Sequence, residues 1–206
     1  MQTSPIVIGL TGGIATGKST CCEILRKLLP ETVVFDADAC VRRLYRDPLM
    51  LDALGTYFGS AIRDDHHGVN KVALRQKAFA EPESREFLEQ LFHPKVRKEC
   101  LALLEQTVKK QSSRLFVADI PLLFESGFDF GQSANLLVAT SRKTQIVRLK
   151  NRNDWDDDTM DAVLASQMPI EVKVSLADMV FWNEGPAEVL KNQCRRFLQS
   201  APCKCA

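Results

Sequence analysis

Gly12-Gly13-Ile14-Ala15-Thr16-Gly17-Lys18-Ser19 matches the pattern G-x-x-x-x-G-K-[ST] at every fixed position. Glycines let a backbone turn tightly, so that successive N–H groups face a bound anion. A helix starting near Lys18 adds the positive end of its dipole. In such a loop the lysine, Lys18, reaches the β- and γ-phosphates of a nucleoside triphosphate, and the Ser19 hydroxyl ligates Mg²⁺. The alternative is a chance glycine-rich turn. A preceding apolar run and a following amphipathic stretch argue against it, since strand–loop–helix is the context the motif needs. The motif speaks for nucleotide binding and is silent about what is done with the nucleotide.

Three carboxylates stand where apolar runs end: Asp36, Asp38 and Asp119. Open α/β sheets bind ligands beyond the carboxyl ends of their strands. A carboxylate there could accept a proton from an attacking hydroxyl or help to hold a metal. It could equally be a solvated turn or a helix cap. Asp36 and Asp38 are expected beside the phosphate-loop strand, and Asp119 at the end of a Walker-B-like strand. The segment from Arg142 to Arg152 holds five basic residues and no acidic one. On a helix Gln145, Arg148 and Arg152 would share a face, which suits a lid neutralising charge over a triphosphate. A solvated basic face balanced by Asp154 to Asp161 is the plainer alternative. His93-Pro94 reads as a helix entry, with Pro94 in the first turn, or as a functional pair.

Elements must position these residues. Ile6–Leu10 is a short buried strand. Cys21, Ile24, Leu25, Leu28 and Leu29 form one apolar helix face, ended by Pro30. Thr32–Asp36 is the next strand, and strand–helix–strand at this spacing predicts a βαβ unit in a parallel sheet. Residues 47–112 show no strand-like run and read as a helical insertion covering the substrate. Further strands are expected at Leu115–Asp119, Asn135–Thr140 and Met179–Trp182, with a final helix from about Pro186 to Leu198. The expectation is a three-layer α/β P-loop NTPase fold whose sheet is five-stranded and parallel. Its core would span about 5–46, 113–141 and 176–200, with a lid at about 142–160.

Bulk composition excludes several classes. The 206 residues are 45% hydrophobic and 26% charged with net charge +1, so no overall field favours nucleic acid or an anionic membrane. No stretch approaches the roughly 18 apolar residues that span a bilayer. The first residues carry no basic region of a signal peptide, and the chain reads as cytoplasmic. Seven cysteines, without a CxxC pair, read as reduced thiols. Cys203-Lys204-Cys205-Ala206 fits a prenylation box poorly. His66, His67 and His93 are too scattered to build a metal site.

Taken in order, these segments resemble the dephospho-coenzyme A kinase family. The resemblance rests on Leu10-Thr11-Gly12-Gly13-Ile14 running into Gly17-Lys18-Ser19-Thr20, and on Asp36-Ala37-Asp38. It continues through Phe58-Gly59, Leu74-Arg75 with Phe79, Leu91-Phe92-His93-Pro94 and Asp119-Ile120-Pro121-Leu122-Leu123-Phe124-Glu125. Gln145, Arg148, Arg152, Gln167, Ala177-Asp178 and Asn183-Glu184-Gly185 close the series, which covers residues 6 to 190. It implies transfer of the ATP γ-phosphoryl group to the ribose 3′-hydroxyl of dephospho-CoA, with Mg²⁺. It also implies Asp36 as general base, and Arg75, His93, Pro121, Leu122 and Glu125 around the acceptor. Gly12 to Thr20 would hold the phosphates, Arg148 and Arg152 would serve the lid, and Asn183 would lie near the adenine. No nucleic acid, membrane or obligate protein partner is implied.

Two departures stand out. Ala15-Thr16 replaces the usual Gly-Ser, and Ala15 is expected to present its N–H from a negative φ. Trp155 follows the lid arginine where a glycine is common. The rival readings are another P-loop nucleoside or nucleotide kinase, and a P-loop ATPase or switch. A GTPase would show an Asn-Lys-x-Asp-type motif, and none is found.

Overall fold

Strand β1 (Ile6–Gly12) lies at the centre of a five-stranded sheet of order β2-β3-β1-β4-β5, with β2 at Thr32–Asp36, β3 at Leu115–Asp119, β4 at Ala134–Ala139 and β5 at Met179–Trp182. The computed structural model describes residues 4–64, 68–111, 113–152 and 155–200. Strands β3 and β4 flank β1 in parallel, in registers that set Leu10 opposite Asp119 and Gly12 opposite Val138. Strand β5 runs parallel to β4. Near-continuous burial along β3 and β4 is the mark of a parallel sheet covered on both faces. The expected βαβ unit is present, but β3 lies between β1 and β2. Asp36 and Asp38 therefore do not follow the strand beside the phosphate loop; Asp119 does. Chain order cannot fix the order of strands in a sheet, because β3 is as apolar as β2 and fits the central place.

Helices α1 (Lys18–Leu28) and α9 (Ala187–Ser200) cover one face. Their Cys21, Cys22, Leu25, Leu190, Cys194 and Phe197 pack on Ile8, Leu10, Leu115, Val117, Leu136 and Val138. Helix α8 (Ile170–Leu176) packs against β4. Helices α6 (Arg142–Lys150) and α7 (Asp157–Ala165) build a smaller core from Leu149, Met160 and Leu164, against which Ile14 and Ala15 of the loop pack.

Contacts divide the chain into two units, Met1–Phe35 with Leu103–Ala206, and Asp36–Ala102. The second is helical: α2 (Ala37–Leu44), α3 (Pro48–Phe58), a 3-10 turn at Ser60–Ile62, α4 (Lys71–Ala80) and the first part of α5 (Pro82–Lys110). An isolated antiparallel bridge joins Arg63 to Val69. Asp47 caps α3 by accepting from Leu49 N and Met50 N, with Pro48 in the first turn.

Pro94 does not begin a helix; it lies inside α5. An interior proline removes one helix bond and costs about 3 kcal/mol or more. Burial offsets that cost. Phe92 meets Tyr45 edge-on at 5.2 Å, Val96 and Cys100 are buried, and Glu99 pairs with Arg43 of α2.

Cys21, Cys22, Cys40, Cys100 and Cys194 are all free thiols. Burial pushes Cys40 and Cys100 up to about 12 and raises Cys22 as well, so these groups are packing residues. Cys203, Cys205, His66 and His67 lie outside the described residues. Among the described residues no helix is long and apolar enough to cross a membrane.

Candidate active site

The phosphate loop forms because β1 ends in glycine and α1 begins with Lys18. Gly17, at φ 97°, is the N-cap residue, and no side chain caps the helix. A Cβ at Gly17 would collide with Asn183 Nδ2. Ala15 sits at φ 58°, in the left-handed region and not at the negative φ expected for it. The physical reason is the surrounding hydrogen bonding: Gln145 Nε2 donates to Ile14 O at 2.7 Å, and Arg148 Nη1 donates to Ala15 O at 3.1 Å. Thr16, fully buried, donates through Oγ1 to Gly13 O at 2.9 Å.

Lys18 pairs with Asp119, the last residue of β3, and both side chains are largely buried. Cys22 Sγ donates to the other Asp119 oxygen at 3.5 Å. Ser19 and Thr20 follow in the first turn of α1, both exposed. Beyond Asp119 the loop turns sharply. Pro121 O accepts from Thr11 Oγ1 at 3.0 Å, Leu122 is exposed, and Glu125 Oε1 lies 2.7 Å from Lys173 Nζ and accepts from Met168 N at 3.2 Å. Lys173 is 0% exposed. Its approach to Glu125 is an ion pair without the alignment of a hydrogen bond, and Glu125 Oε2 has no donor among the described residues.

A cavity of about 330 Å³ opens at the α1 end of the loop, lined by Ala15, Gly17, Thr20, Arg148, Arg152 and Asn183. The structure thus brings together the loop, Asn183 and both expected arginines. Arg148 lines this cavity yet spends Nη1 on Ala15 O and Thr16 O and Nη2 on Asn183 O at 2.9 Å. Its charge faces the site while few of its donors remain for a phosphate. Arg152 lies beyond the C-cap of α6 at Asn151, so it reaches the cavity from a turn and not along the helical face with Gln145 and Arg148. Asn183 Nδ2 donates to Thr16 O at 2.8 Å. A second cavity, of about 370 Å³, flanks the loop at Gly13 and is bounded by Arg142, Gln145, Gln167 and Met168.

Glu184 carries no expected role, yet it joins β5 to the start of α6. It accepts from Ser141 N at 2.6 Å, Thr144 Oγ1 at 2.7 Å and Thr140 Oγ1 at 2.9 Å. The bonds from Ser141 and Thr144 hold its carboxyl down at about 2. Gln145 was expected only on the lid face with Arg148 and Arg152, and Gln167 and Lys173 went without a role; the burial of Gln145 and Lys173 marks them in the structure.

In the helical unit, Asp36 is the N-cap of α2. Its Oδ1 accepts from Ala39 N at 2.7 Å, and its Oδ2 lies 3.6 Å from Arg42 Nη2. Cap and reacting carboxylate are compatible, since one oxygen serves each purpose. Arg75 is exposed on α4, and His93 is half-buried on α5 immediately before Pro94.

The oxygen donors at Ser19 and Asp119 suit Mg²⁺, which binds through one or two carboxylates, substrate phosphates and water. Among the described residues no group of three or more His, Cys, Asp or Glu could form an all-protein metal cage.

Residues 6–188 match the family model described as dephospho-CoA kinase. A dephospho-CoA kinase of Bacillus cereus is 36% identical over 196 residues, covering 95% of this chain and 96% of the relative. That of Streptococcus pneumoniae is 36% identical over 194 residues, 94% of each chain. The solved dephospho-CoA kinase of Campylobacter jejuni superposes with a TM-score of 0.69 at 26% identity, covering 95% of this chain and 96% of that one. A phosphate loop whose lysine is held by the carboxylate of the neighbouring strand, in a chain matched over residues 6–188 in this way, leads to one conclusion: the chain belongs to the dephospho-CoA kinase family of ATP-dependent kinases.

Proposed function

We propose that this chain transfers the γ-phosphoryl group of ATP to the ribose 3′-hydroxyl of dephospho-CoA, giving CoA and ADP. The observation that carries the nucleotide half is the cavity shared by the phosphate loop, Arg148, Arg152 and Asn183. N–H groups of the loop from Gly12 to Thr20 bind the phosphates, apart from those of Ile14 and Thr16, which donate to Gln167 and Gly13 O; Lys18 neutralises the β- and γ-phosphates, and Asn183 lies beside the adenine. Ser19 and Asp119 would hold Mg²⁺, which when bound neutralises charge building on the phosphoryl oxygens. Asp119 is favoured over Asp38 because its carboxylate already meets Lys18.

Phosphoryl transfer asks little covalent chemistry of a protein, so positioning and charge dominate. Asp36 takes the proton of the 3′-hydroxyl through the oxygen that does not cap α2. Arg75 and His93, in a helical acceptor-binding unit, and Pro121, Leu122 and Glu125 contact dephospho-CoA. Arg152 serves the moving phosphoryl group directly, and Arg148 does so through its charge. Residues 142–160 act as a lid that excludes water, which would otherwise waste ATP. Gln145 and Arg148 tie α6 to the loop. The enzyme works in the cytoplasm.

A coupled assay tests this reading. Purified protein with MgATP is expected to form ADP only when dephospho-CoA is present, with CoA in equal amount. Strong turnover of adenosine or AMP, and none of dephospho-CoA, would sink it.

A further inference from the structure

Three successive carbonyls of the phosphate loop end on side chains from outside it. Ile14 O accepts from Gln145 Nε2 at 2.7 Å, Ala15 O from Arg148 Nη1 at 3.1 Å, and Thr16 O from Asn183 Nδ2 at 2.8 Å. On the other side of residue 14, its N–H donates to Gln167 Oε1 at 2.9 Å. Two amide side chains, one from α6 and one from the turn after α7, therefore grip a single loop residue by both of its backbone groups.

The consequence follows from peptide geometry. A trans peptide is planar, so the C=O of one residue and the N–H of the next point in opposite directions. Drawing Ile14 O outward to Gln145 turns the N–H of Ala15 to the inside of the loop. Drawing Thr16 O outward to Asn183 does the same for Gly17. The N–H of Thr16 is spent within the loop on Gly13 O at 3.3 Å. An inward Ala15 N–H goes with the left-handed φ of 58° at that alanine. A non-glycine residue stays in that region where its surroundings over-determine it. Gly13 shows how closely the grip is built, since a Cβ there would stand 3.0 Å from Gln145 Nε2 and 3.5 Å from Gln167 Oε1. A donor bonded to a carbonyl also polarises the peptide, making the opposite N–H a stronger donor.

We propose that Gln145 and Gln167 are positioning residues for phosphoryl transfer: by holding Ile14 at both ends they aim the Ala15 N–H at the nucleotide phosphates. Neither glutamine lines the cavity assigned to the nucleotide. Position 145 must donate and position 167 must accept, so each acts through the loop peptide alone. The inference rests on the loop being the nucleotide phosphate site.

The test is calorimetric titration of ADP and of adenosine into the full chain and its Gln145→Met and Gln167→Met variants. Methionine keeps length and volume while removing the polar end. Each variant is expected to lose roughly tenfold in ADP affinity, the worth of one aimed hydrogen bond to a charged group, while adenosine affinity stays within about twofold. The double variant is expected to lose less than the product of the two, because both act on one residue. Unchanged ADP affinity in both single variants would overturn the proposal. So would equal losses for ADP and adenosine, which mark a general loosening of the site. A wild-type chain that fails to bind ADP would instead undo the nucleotide reading beneath it.

Discussion

In the sheet unit the proposed phosphate site draws on main-chain amides as well as side chains, and Gln145, Gln167 and Asn183 hydrogen-bond to the loop that carries those amides. In the helical unit the arrangement differs. Backbone groups there are spent in helices, and the candidate reacting groups are the side chains of Asp36, Arg75 and His93. Short of proline, substitution cannot delete a main-chain N–H, only spoil its aim, so changes around the loop are graded. In the helical unit one substitution can remove the reacting group itself.

The sharpest break of that contrast is Asp36→Asn. Asparagine keeps an oxygen to cap α2 and removes the base, so turnover is expected to fall roughly 10²-fold or more with ATP affinity nearly intact. Steady-state kinetics and ATP titration read the two quantities, and undiminished turnover would take Asp36 out of that role.

Next in size is the buried pair in the sheet unit. Lys173→Met strands Glu125 without its cation and should cost about 3–5 kcal/mol in urea unfolding. Adding Glu125→Leu should recover most of that stability, since replacing both charges of a buried pair with apolar groups is often neutral. A Lys173→Met variant as stable as wild type would mean that Glu125 does not depend on this cation.

A smaller effect tests the loop. Ala15→Gly removes the penalty of a left-handed alanine and should raise stability by about 1 kcal/mol, less whatever entropy the glycine adds to the unfolded chain. Lower stability would show that the loop pays nothing for φ 58°.

The last prediction concerns pH. Glu184 has a carboxyl held at about 2, below its unfolded value of about 4.3. Its contribution is therefore complete above about pH 4.3 and fades as pH falls towards 2. The stability difference between wild type and Glu184→Gln should stay flat from neutral pH down to about 5, then shrink on acidification. A difference that grows on acidification would contradict this.

Much of this was legible along the chain. Thr32–Asp36, Leu115–Asp119 and Met179–Trp182 are strands with the bounds their apolar runs indicate. The face from Cys21 to Leu28 packs as its spacing demands. Helix α2 was less visible. Its start reads as strand-end carboxylates with a helix cap among the alternatives, and Asp36 proves to be that cap, beginning a helix at once. Pro94 misled for a related reason: the local cost of proline marks a helix start, and the packing of Phe92, Val96 and Cys100 outweighs it.

A phosphate loop between a strand and a helix, and the family to which its chain belongs, follow from local periodicity and a run of short motifs. Three things do not. They are the pairing of Lys18 with Asp119, the left-handed Ala15, and the meeting of Gln145 and Gln167 on Ile14. Each depends on segments far apart in the chain. Strand order and side-chain reach are set when the whole sheet packs, and no local pattern of residues encodes them.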